Sequence, residues 1–337
     1  MILKIDEFSS VPKYRQIVDA IRKGIEVGQL TRNQQLPSIN ELSEDYYLAR
    51  DTVEKAYNLL KKEGVIEAVR GKGFFVRTSS PAQMRVLLIM NKLSAYKKII
   101  YYSLLNTLGG EATVDLRLHH HDARRLNDLL TENLGSYHYY VIMPHFYEGL
   151  QEVSVRELLG QIPADKLVLL DKDYPHLPGQ YKAVFQQFDR DIYHALESGL
   201  DLIGRYKRLT LVFPCEGQYP REIIHGFRSF CVHHHLPYSL METLTGHPIE
   251  RDTAYIVLED SDLAELVRQA RQQNWQLGRE VGVVAFNETP LKEVLADGIT
   301  VISTDHEQMG VTAARLMLEN RSEKIQNPFQ LIRRASL

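Results

Sequence analysis

The sequence predicts an α/β protein: a small helical N-terminal domain ending in a hairpin, then a larger two-lobed domain with parallel sheets. Three observations carry this reading. Residues 36–76 pattern as two short helices followed by two strand-like runs around a Gly-x-Gly tip. From Val86 onward, short apolar strands alternate with amphipathic helices over about 240 residues, the signature of parallel sheets covered by helices on both faces. The length of 337 residues is too great for the first part alone and sufficient for a second, larger domain. The expected division is residues 1–77, a linker at 78–84 containing the polar run TSSPAQ, and a second domain at 85–337.

The first helix is expected over 12–27, with Tyr14, Ile17, Val18, Ile21 and Ile25 on one face and Gly28 as its stop. Pro37 blocks helix upstream of Ser38, and Ser38 with Glu41 forms the Ser-x-x-Glu capping box that starts the next helix. Ile39, Leu42 and Tyr46 are its inward face. A second helix runs from about Ala49 to Glu63, with Val53, Ala56, Tyr57 and Leu60 at i, i+3, i+4 and i+7. Its outer face opens with Arg50, Thr52 and Lys55, to which Asp51 adds a carboxylate, and Gly64 stops it. Runs 65–69 and 74–77 then flank Arg70-Gly71-Lys72-Gly73, a basic hairpin tip.

Two helices and a basic hairpin suit a duplex: the second helix enters the major groove N-terminus first, and the wing reaches phosphate or minor groove. The expected DNA contacts are Ser38, Asn40, Arg50, Asp51, Thr52 and Lys55 from the helices, and Arg70, Gly71, Lys72 and Gly73 from the wing. The opposing reading is a small helical domain that packs on the rest of the chain. The net charge of −3 looks wrong for a DNA binder until it is split. Residues 1–77 hold 13 Lys and Arg against 11 Asp and Glu, while the rest holds 27 against 32. Affinity therefore has to come from local placement of Arg50, Lys55, Arg70 and Lys72 rather than from a bulk basic field.

In the second domain the expected strands are 86–90, 114–118, 140–143, 167–170, 209–213, 255–258, 281–286 and 300–302. Helices are expected over 96–108 and from about 122, 189, 221, 261, 291 and 305. Ligands of such folds sit at the carboxyl ends of the strands. There the sequence places Asn91-Lys92, His145-Phe146-Tyr147, Asp171-Lys172-Asp173, Glu259-Asp260, Asn287-Glu288 and Thr304-Asp305. Gln186-Gln187-Phe188 leads into a helix and is a further cleft candidate. Carboxylates, amides and aromatics together are equipment for a polyhydroxylated ligand. The opposing reading for any one Asp or Asn is that it merely caps a helix.

Residues 12–76 closely resemble the winged helix-turn-helix of GntR-type bacterial regulators. The matching residues are Leu36-Pro37-Ser38, Glu41-Leu42, Arg50, Thr52-Val53, Ala56-Tyr57, Leu60, Glu63-Gly64, Ile66-Glu67 and Gly71-x-Gly73-x-Phe75-Val76. Pro12-x-Tyr14-x-Gln16-Ile17 and Lys55-Ala56-Tyr57 are similar to the branch with a Tyr in the first helix. The chain departs at Ala49, where the family usually has Ser or Asn, and at Glu54, where it often has a second Arg.

More diffusely, residues 85–335 resemble the effector domain of LacI/GalR-type regulators, itself similar to periplasmic sugar-binding proteins. The anchors are Arg221-x4-Gly226-Phe227, the strand Val281–Phe286 running into Asn287-Glu288-Thr289, and Thr300–Asp305 with Gly310. The resemblance implies ligand contacts at Arg221, Asn287, Glu259 and Asp171, with Asn287 and Glu259 replacing a usual Asp and Asn. Asn91, His145, Phe146 and Asp305 complete the expected effector set. The combination resembles the GntR/LacI chimeric regulators.

It implies a ligand-responsive transcriptional regulator that binds operator DNA, with a monosaccharide or sugar derivative as effector, L-fucose or arabinose-like sugars among the candidates. A homodimer on a near-palindromic site is expected, because one recognition helix reads too few bases for useful specificity. Tyr96, Ile99, Ile100, Leu104 and Leu105 leave more apolar surface on one helix than a sheet contact needs, and part of it is expected to form the effector-domain interface. The alternative is a winged helix fused to a catalytic α/β domain acting on a small metabolite.

Composition and motifs bound the rest. Hydrophobic content of 44% and charge of 25% are ordinary for a globular chain. MILKIDEFSS lacks the pattern of a signal peptide, and no apolar run approaches the ~18 residues of a membrane span. Cys215 and Cys231 are lone thiols, as expected in a reducing cytoplasm. No cofactor and no metal are expected. His119-His120-His121 and His233-His234-His235 invite a zinc reading. Consecutive histidines, however, point apart on a strand and span about 200° on a helix, so surface or loop positions are expected. Gly71-x-Gly73 is a turn rather than a phosphate loop, and neither HExxH nor G-x-S-x-G occurs. Trp275 is read as packing, and no function is placed on Arg333-Arg334.

Overall fold

The structure is a computed structural model and describes residues 5, 6, 9, 11–26, 29–77, 83–146, 152–214 and 219–337. The expected stop at Gly28, linker residues 78–82, Tyr147 and Cys215 lie outside the described residues. Two compact units are present: residues 1–87 with 110–115 and 127–140, and residues 88–109 with 116–126 and 141–337.

In the first unit the chain folds as α1 (Lys13–Glu26), α2 (Ile39–Asp45), α3 (Arg50–Lys62), β1 (Ile66–Val69) and β2 (Gly73–Val76). The amphipathic stripes predicted for the three helices meet in one core, where Ile17, Ile21, Leu42, Val53, Tyr57, Leu60 and Val76 are fully covered. Ser38 caps α2 with the complete reciprocal capping box: its side chain accepts from Glu41 N, and its own N–H donates to Glu41 Oε2 at 2.7 Å. Tyr57 donates to the Pro37 carbonyl at 2.7 Å and packs edge-on against Phe74, so one residue of α3 holds both the start of α2 and the wing. β1 and β2 pair antiparallel from Ile66–Val76 to Val69–Gly73. At the far end of α3, Glu63 takes the buried guanidinium of Arg22 and, at 3.3 Å, that of Arg85.

The rest of the chain is β3 (Met84–Met90), α4 (Ala95–Leu108), β4 (Ala112–Leu118), α5 (Ala123–Asn133), β5 (Tyr139–Ile142), α6 (Glu152–Leu159), β6 (Leu167–Asp171), β7 (Lys182–Phe185), α7 (Phe188–Ser198), α8 (Leu200–Ile203), β8 (Arg208–Val212), α9 (Glu222–His233), β9 (Tyr238–Met241), β10 (Thr253–Val257), α10 (Asp260–Gln272), β11 (Val281–Phe286), α11 (Pro290–Val294), β12 (Thr300–Thr304), α12 (His306–Leu318), β13 (Lys324–Gln326) and β14 (Phe329–Ile332). They form two six-stranded sheets, ordered β13-β7-β6-β5-β3-β4 and β14-β12-β11-β10-β8-β9. In the second sheet β8 to β12 run parallel and only the edge strand β14 is antiparallel. Trp275 packs beside the core on one face of that sheet, as expected.

Among the described residues the chain passes between the sheets three times: from β7 to α7, from β12 to α12, and from β13 to β14. These crossings bind one another. Asn327, only 2% exposed, donates to Thr304 Oγ1 at 2.7 Å and to the Asp305 carbonyl at 2.8 Å. The buried Asp191 accepts from Gln187 N and from Gln326 Nε2.

Two glycines set the helix packing. A Cβ on Gly226 would run into the Asp189 carbonyl and Ile192, so the glycine of the Arg221-x4-Gly226-Phe227 motif lets α9 seat on α7. A Cβ on Gly310 would strike Ser103 and the Ile100 carbonyl, so α12 lies directly on α4. That contact revises the interface expectation. Ile100 and Leu104 are buried within the chain itself, and Tyr96 borders the cleft described below. Ile99 and Leu105 remain half-buried.

Candidate functional site

On the winged helix, Asn40, Arg50, Asp51, Lys55, Arg70, Gly71 and Lys72 are exposed, as is the capping Ser38, while Thr52 and Gly73 are half-buried. The N-cap Ala49 makes no side-chain cap, which leaves the first amides of α3 open beside Arg50. Lys55 lies 4.2 Å from the centre of the Tyr14 ring, so its charge is oriented by α1. The wing tip turns through Gly71 and Gly73, and Gln35 braces it by donating to the Lys72 carbonyl at 2.7 Å. One surface residue was not foreseen. Tyr47, in the turn between α2 and α3, is 96% exposed and held at φ +50°, a left-handed conformation that L side chains rarely adopt. Two adjacent tyrosines before Leu48 were the only sequence signal.

The second candidate site lies at the carboxyl ends of the strands, where a cavity of about 40 Å³ is lined by Asn91, Lys92, Tyr96, Lys97, Ile100, Met143, His145, Asp171, Gln186, Phe188, Tyr219, Pro220, Phe286, Asn287 and His306. Four predicted effector residues, Asn91, His145, Asp171 and Asn287, are thus brought together. The cleft candidates Gln186 and Phe188 join them. The space holds a water or two and no sugar ring, so a ligand enters only when the walls part.

Asp171 is the hub. It accepts from His145 Nε2 at 2.6 Å and from Gln186 Nε2. Burial alone would raise its pKa, but the His145 hydrogen bond and charge, aided by Lys97 and Gln186, outweigh that and hold it at about 2. Asp171 and Asn287 both sit at positive φ, +73° and +62°, backbone strain that gathers at functional positions. Lys97 is 4% exposed and donates to Asn91 Oδ1, while the Asn91 amide reaches the His121 ring at 3.2 Å. Burial lowers the Lys97 pKa to about 7. His306 opens α12, lies against the Tyr96 ring at 4.9 Å, and is lowered to about 4 by burial. Tyr219 donates to the Leu258 carbonyl at 3.0 Å and meets Phe286 edge-on, completing an aromatic wall.

The other predicted effector residues stand outside this lining among the described residues. Arg221 is exposed and occupies the N-cap position of α9; its neighbours Tyr219 and Pro220 face the cavity instead. Asp305 is exposed and accepts from Gln308 N at 2.8 Å, so its side chain caps α12 and the next residue, His306, lines the cleft. Glu259 precedes α10, within reach of the Tyr219 hydroxyl. Phe146 packs on His119 at 5.0 Å.

His119 and His121 correct a further expectation. They are 0% and 6% exposed rather than on the surface, and burial lowers both to about pKa 4. His119 Nε2 lies 3.0 Å from the Met143 carbonyl and therefore carries the proton. Lys97, Tyr219, Phe286 and His306 were missed. For Lys97 and His306 a signal existed, since each heads a buried stripe: 97, 100, 104, 108 and 306, 309, 313, 317.

A capped helix pair with an exposed basic helix and wing, joined to two α/β sheets whose strand ends converge on one polar cavity, defines a transcriptional regulator with an effector domain. Residues 13–76 match the model of the gntR family of bacterial regulatory proteins, and residues 204–337 that of the periplasmic binding protein-like domain. The chain is 31% identical over 97 residues to the HTH-type transcriptional repressor YtrA of Bacillus subtilis (29% of this chain, 72% of the relative). It is 28% identical over 219 residues to the HTH-type transcriptional regulator TreR of the same organism (64% and 80%). Among solved structures it is similar to a periplasmic binding protein/LacI transcriptional regulator from Alkaliphilus metalliredigens complexed with D-xylulofuranose. That match has TM-score 0.57 at 14% identity and covers 75% of this chain and 98% of that one. The chain belongs to the gntR family of bacterial regulatory proteins, with a second domain of LacI-like fold.

Proposed function

We propose that this regulator is a sugar-responsive repressor that acts as a homodimer in the cytoplasm, where its operator DNA lies. The observation that carries the reading is the convergence of Asn91, His145, Asp171, Gln186 and Asn287 beside an aromatic wall of Tyr96, Phe188, Tyr219 and Phe286. Carboxylate, amide and imidazole groups match vicinal hydroxyls, and aromatic rings pack on the apolar face of a sugar. The similar structure holding D-xylulofuranose supports a monosaccharide. L-fucose and arabinose-like sugars stay among the candidates.

Arg50, Asp51, Thr52, Lys55 and the 70–73 tip are the proposed DNA contacts, with Ser38 and Asn40 at the start of α2. Asn91, His145, Asp171 and Asn287 are the proposed effector contacts. Reading one half-site per protomer needs a second copy, and exposed Leu291 (69%) and Val294 (73%) on α11 form an apolar face for it. Leu291 also borders a groove of about 590 Å³ against α10.

The catalytic alternative rests on the same cleft, because His145–Asp171 and Lys97 are acid–base groups. A thermal-shift screen of sugars, with each stabilising sugar recovered and analysed, separates the two readings. Binding with the sugar returned unchanged is the expected result. Conversion of the sugar, or no stabilisation by any, sinks the proposal.

A further inference from the structure

The histidine run His233-His234-His235 has no part in either site, yet the fold gives two of its members partners that the sequence places far away. Glu197, near the end of α7, stands opposite His233 and His234, at the end of α9. One carboxylate oxygen of Glu197 and one ring nitrogen of each histidine all lie within 4.8 Å of one another. Among the described residues His234 Nε2 is buried with no hydrogen-bond partner, and its distance of 3.6 Å to Glu197 Oε1 is too long for one. His194, one turn back on α7, brings Nδ1 to 3.5 Å from the other Glu197 oxygen. The Tyr193 hydroxyl bonds His233 Nδ1 and lies 3.3 Å from Glu197 Oε1.

We infer that Glu197, His233 and His234 form a binding site for a borderline divalent transition-metal ion such as zinc, with water completing its coordination. Imidazole and carboxylate together suit zinc, nickel or copper rather than calcium or magnesium, which take oxygen ligands. Around a tetrahedral zinc, ligand atoms stand roughly 3.3 Å apart, so side-chain shifts of about 1 Å close the site. Gly226 helps to place it, because it allows the close seating of α9 on α7 that carries both ligand sets. Consecutive histidines alone do not make a site. Here the C-terminal turn stacks the His233 and His234 rings with centroids 4.7 Å apart, and the second helix supplies the anion. The ion joins the C-terminal ends of two helices; at the cleft Phe188 opens α7 and Tyr219 lies in the segment just before α9.

The test is a calorimetric titration of the full, untagged and chelator-treated chain with zinc chloride, alongside thermal unfolding with and without zinc. Expected are one zinc per chain at micromolar affinity and a raised unfolding midpoint. Affinity should fall at least tenfold in His233→Ala, His234→Ala and Glu197→Gln. His120→Ala, in the other histidine run and exposed, should bind like the parent. His234 packs on Phe230, so its loss could loosen the fold; Glu197→Gln keeps size and leaves that contact intact. No binding at 1 mM zinc overturns the inference, and so does binding that none of the three variants weakens.

Discussion

Tyr47 pairs strain with exposure. A tyrosine in left-handed backbone costs about 1–2 kcal/mol, and a ring that buries nothing on its own chain returns none of it. Tyr47→Gly is therefore predicted to stabilise the chain by roughly 0.5–1 kcal/mol, less than the full strain because glycine also frees the unfolded state. It should also weaken operator binding, since strain persists where function holds it. Chemical denaturation and DNA titration of one variant check both halves. Arg50→Ala is predicted to cost ~1–3 kcal/mol of operator affinity and to relax specificity at one position per half-site, read by competition among operator variants. The buried histidines give a pH dependence. His119, His121 and His306 stay neutral in the fold down to about pH 4, whereas unfolded histidine takes its proton near 6.5. The unfolded chain thus binds more protons between those values, so stability rises with pH from about 4 to 6.5 and is lost on acidification through the same window. Each histidine contributes a slope of up to about 1.4 kcal/mol per pH unit, and His119→Gln should flatten the curve of unfolding midpoint against pH. At this scale the sequence showed residue types well and orientation poorly. Asn91 and Asp171 were readable as strand-end polar groups, but Asp305 and His306 are neighbours, and only the turn of α12 decides which one faces the cavity.

The elements most legible in the sequence were those with long apolar stripes. α1, α3 and α4 fall within a residue or two of their expected bounds, and α12 starts one residue from its expected start, because four or more buried positions recur at helical spacing. The capping box set the start of α2 for the same reason: it is a local signal with a local cause. Ser38→Ala is predicted to cost ~1 kcal/mol of stability by freeing the Glu41 amide, measurable by denaturation of the full chain. The strands that escaped notice, β7, β9, β13 and β14, have only three or four residues. For β13 the pairing partner is also distant in sequence, since it takes its place beside β7. Lys182 in β7 hid that strand further, since a buried lysine breaks the apolar run while its Nζ donates to the Asp165 carbonyl at 2.9 Å. Packing between helices was equally non-local. The sequence marks Gly310, but that it brings α12 onto α4, and so covers Ile100, follows only from the fold.

For the whole molecule, the functional consequence lies in the three crossings between the sheets. Gln186 and His306, both at crossings, also line the cavity, and Asn327 ties two crossings together. A ligand that parts or closes the cleft therefore acts on the segments that join the sheets. Only a ligand with different affinity for the two arrangements shifts that balance. The repeated alternation of strand and helix made both sheets predictable, whereas which segments cross between them depends on pairings far apart in sequence. The most direct test is fluorescence anisotropy of the full chain on an operator selected from random DNA. The titration is made with and without D-glucose, D-xylulose, trehalose, L-arabinose and L-fucose. One of these sugars is predicted to change operator affinity at least tenfold, about 1.4 kcal/mol. Asp171→Asn should keep the sugar-free affinity and lose the change. Operator binding that no sugar alters, or an Asp171→Asn variant that responds as the parent does, would contradict a sugar-responsive role for this cleft.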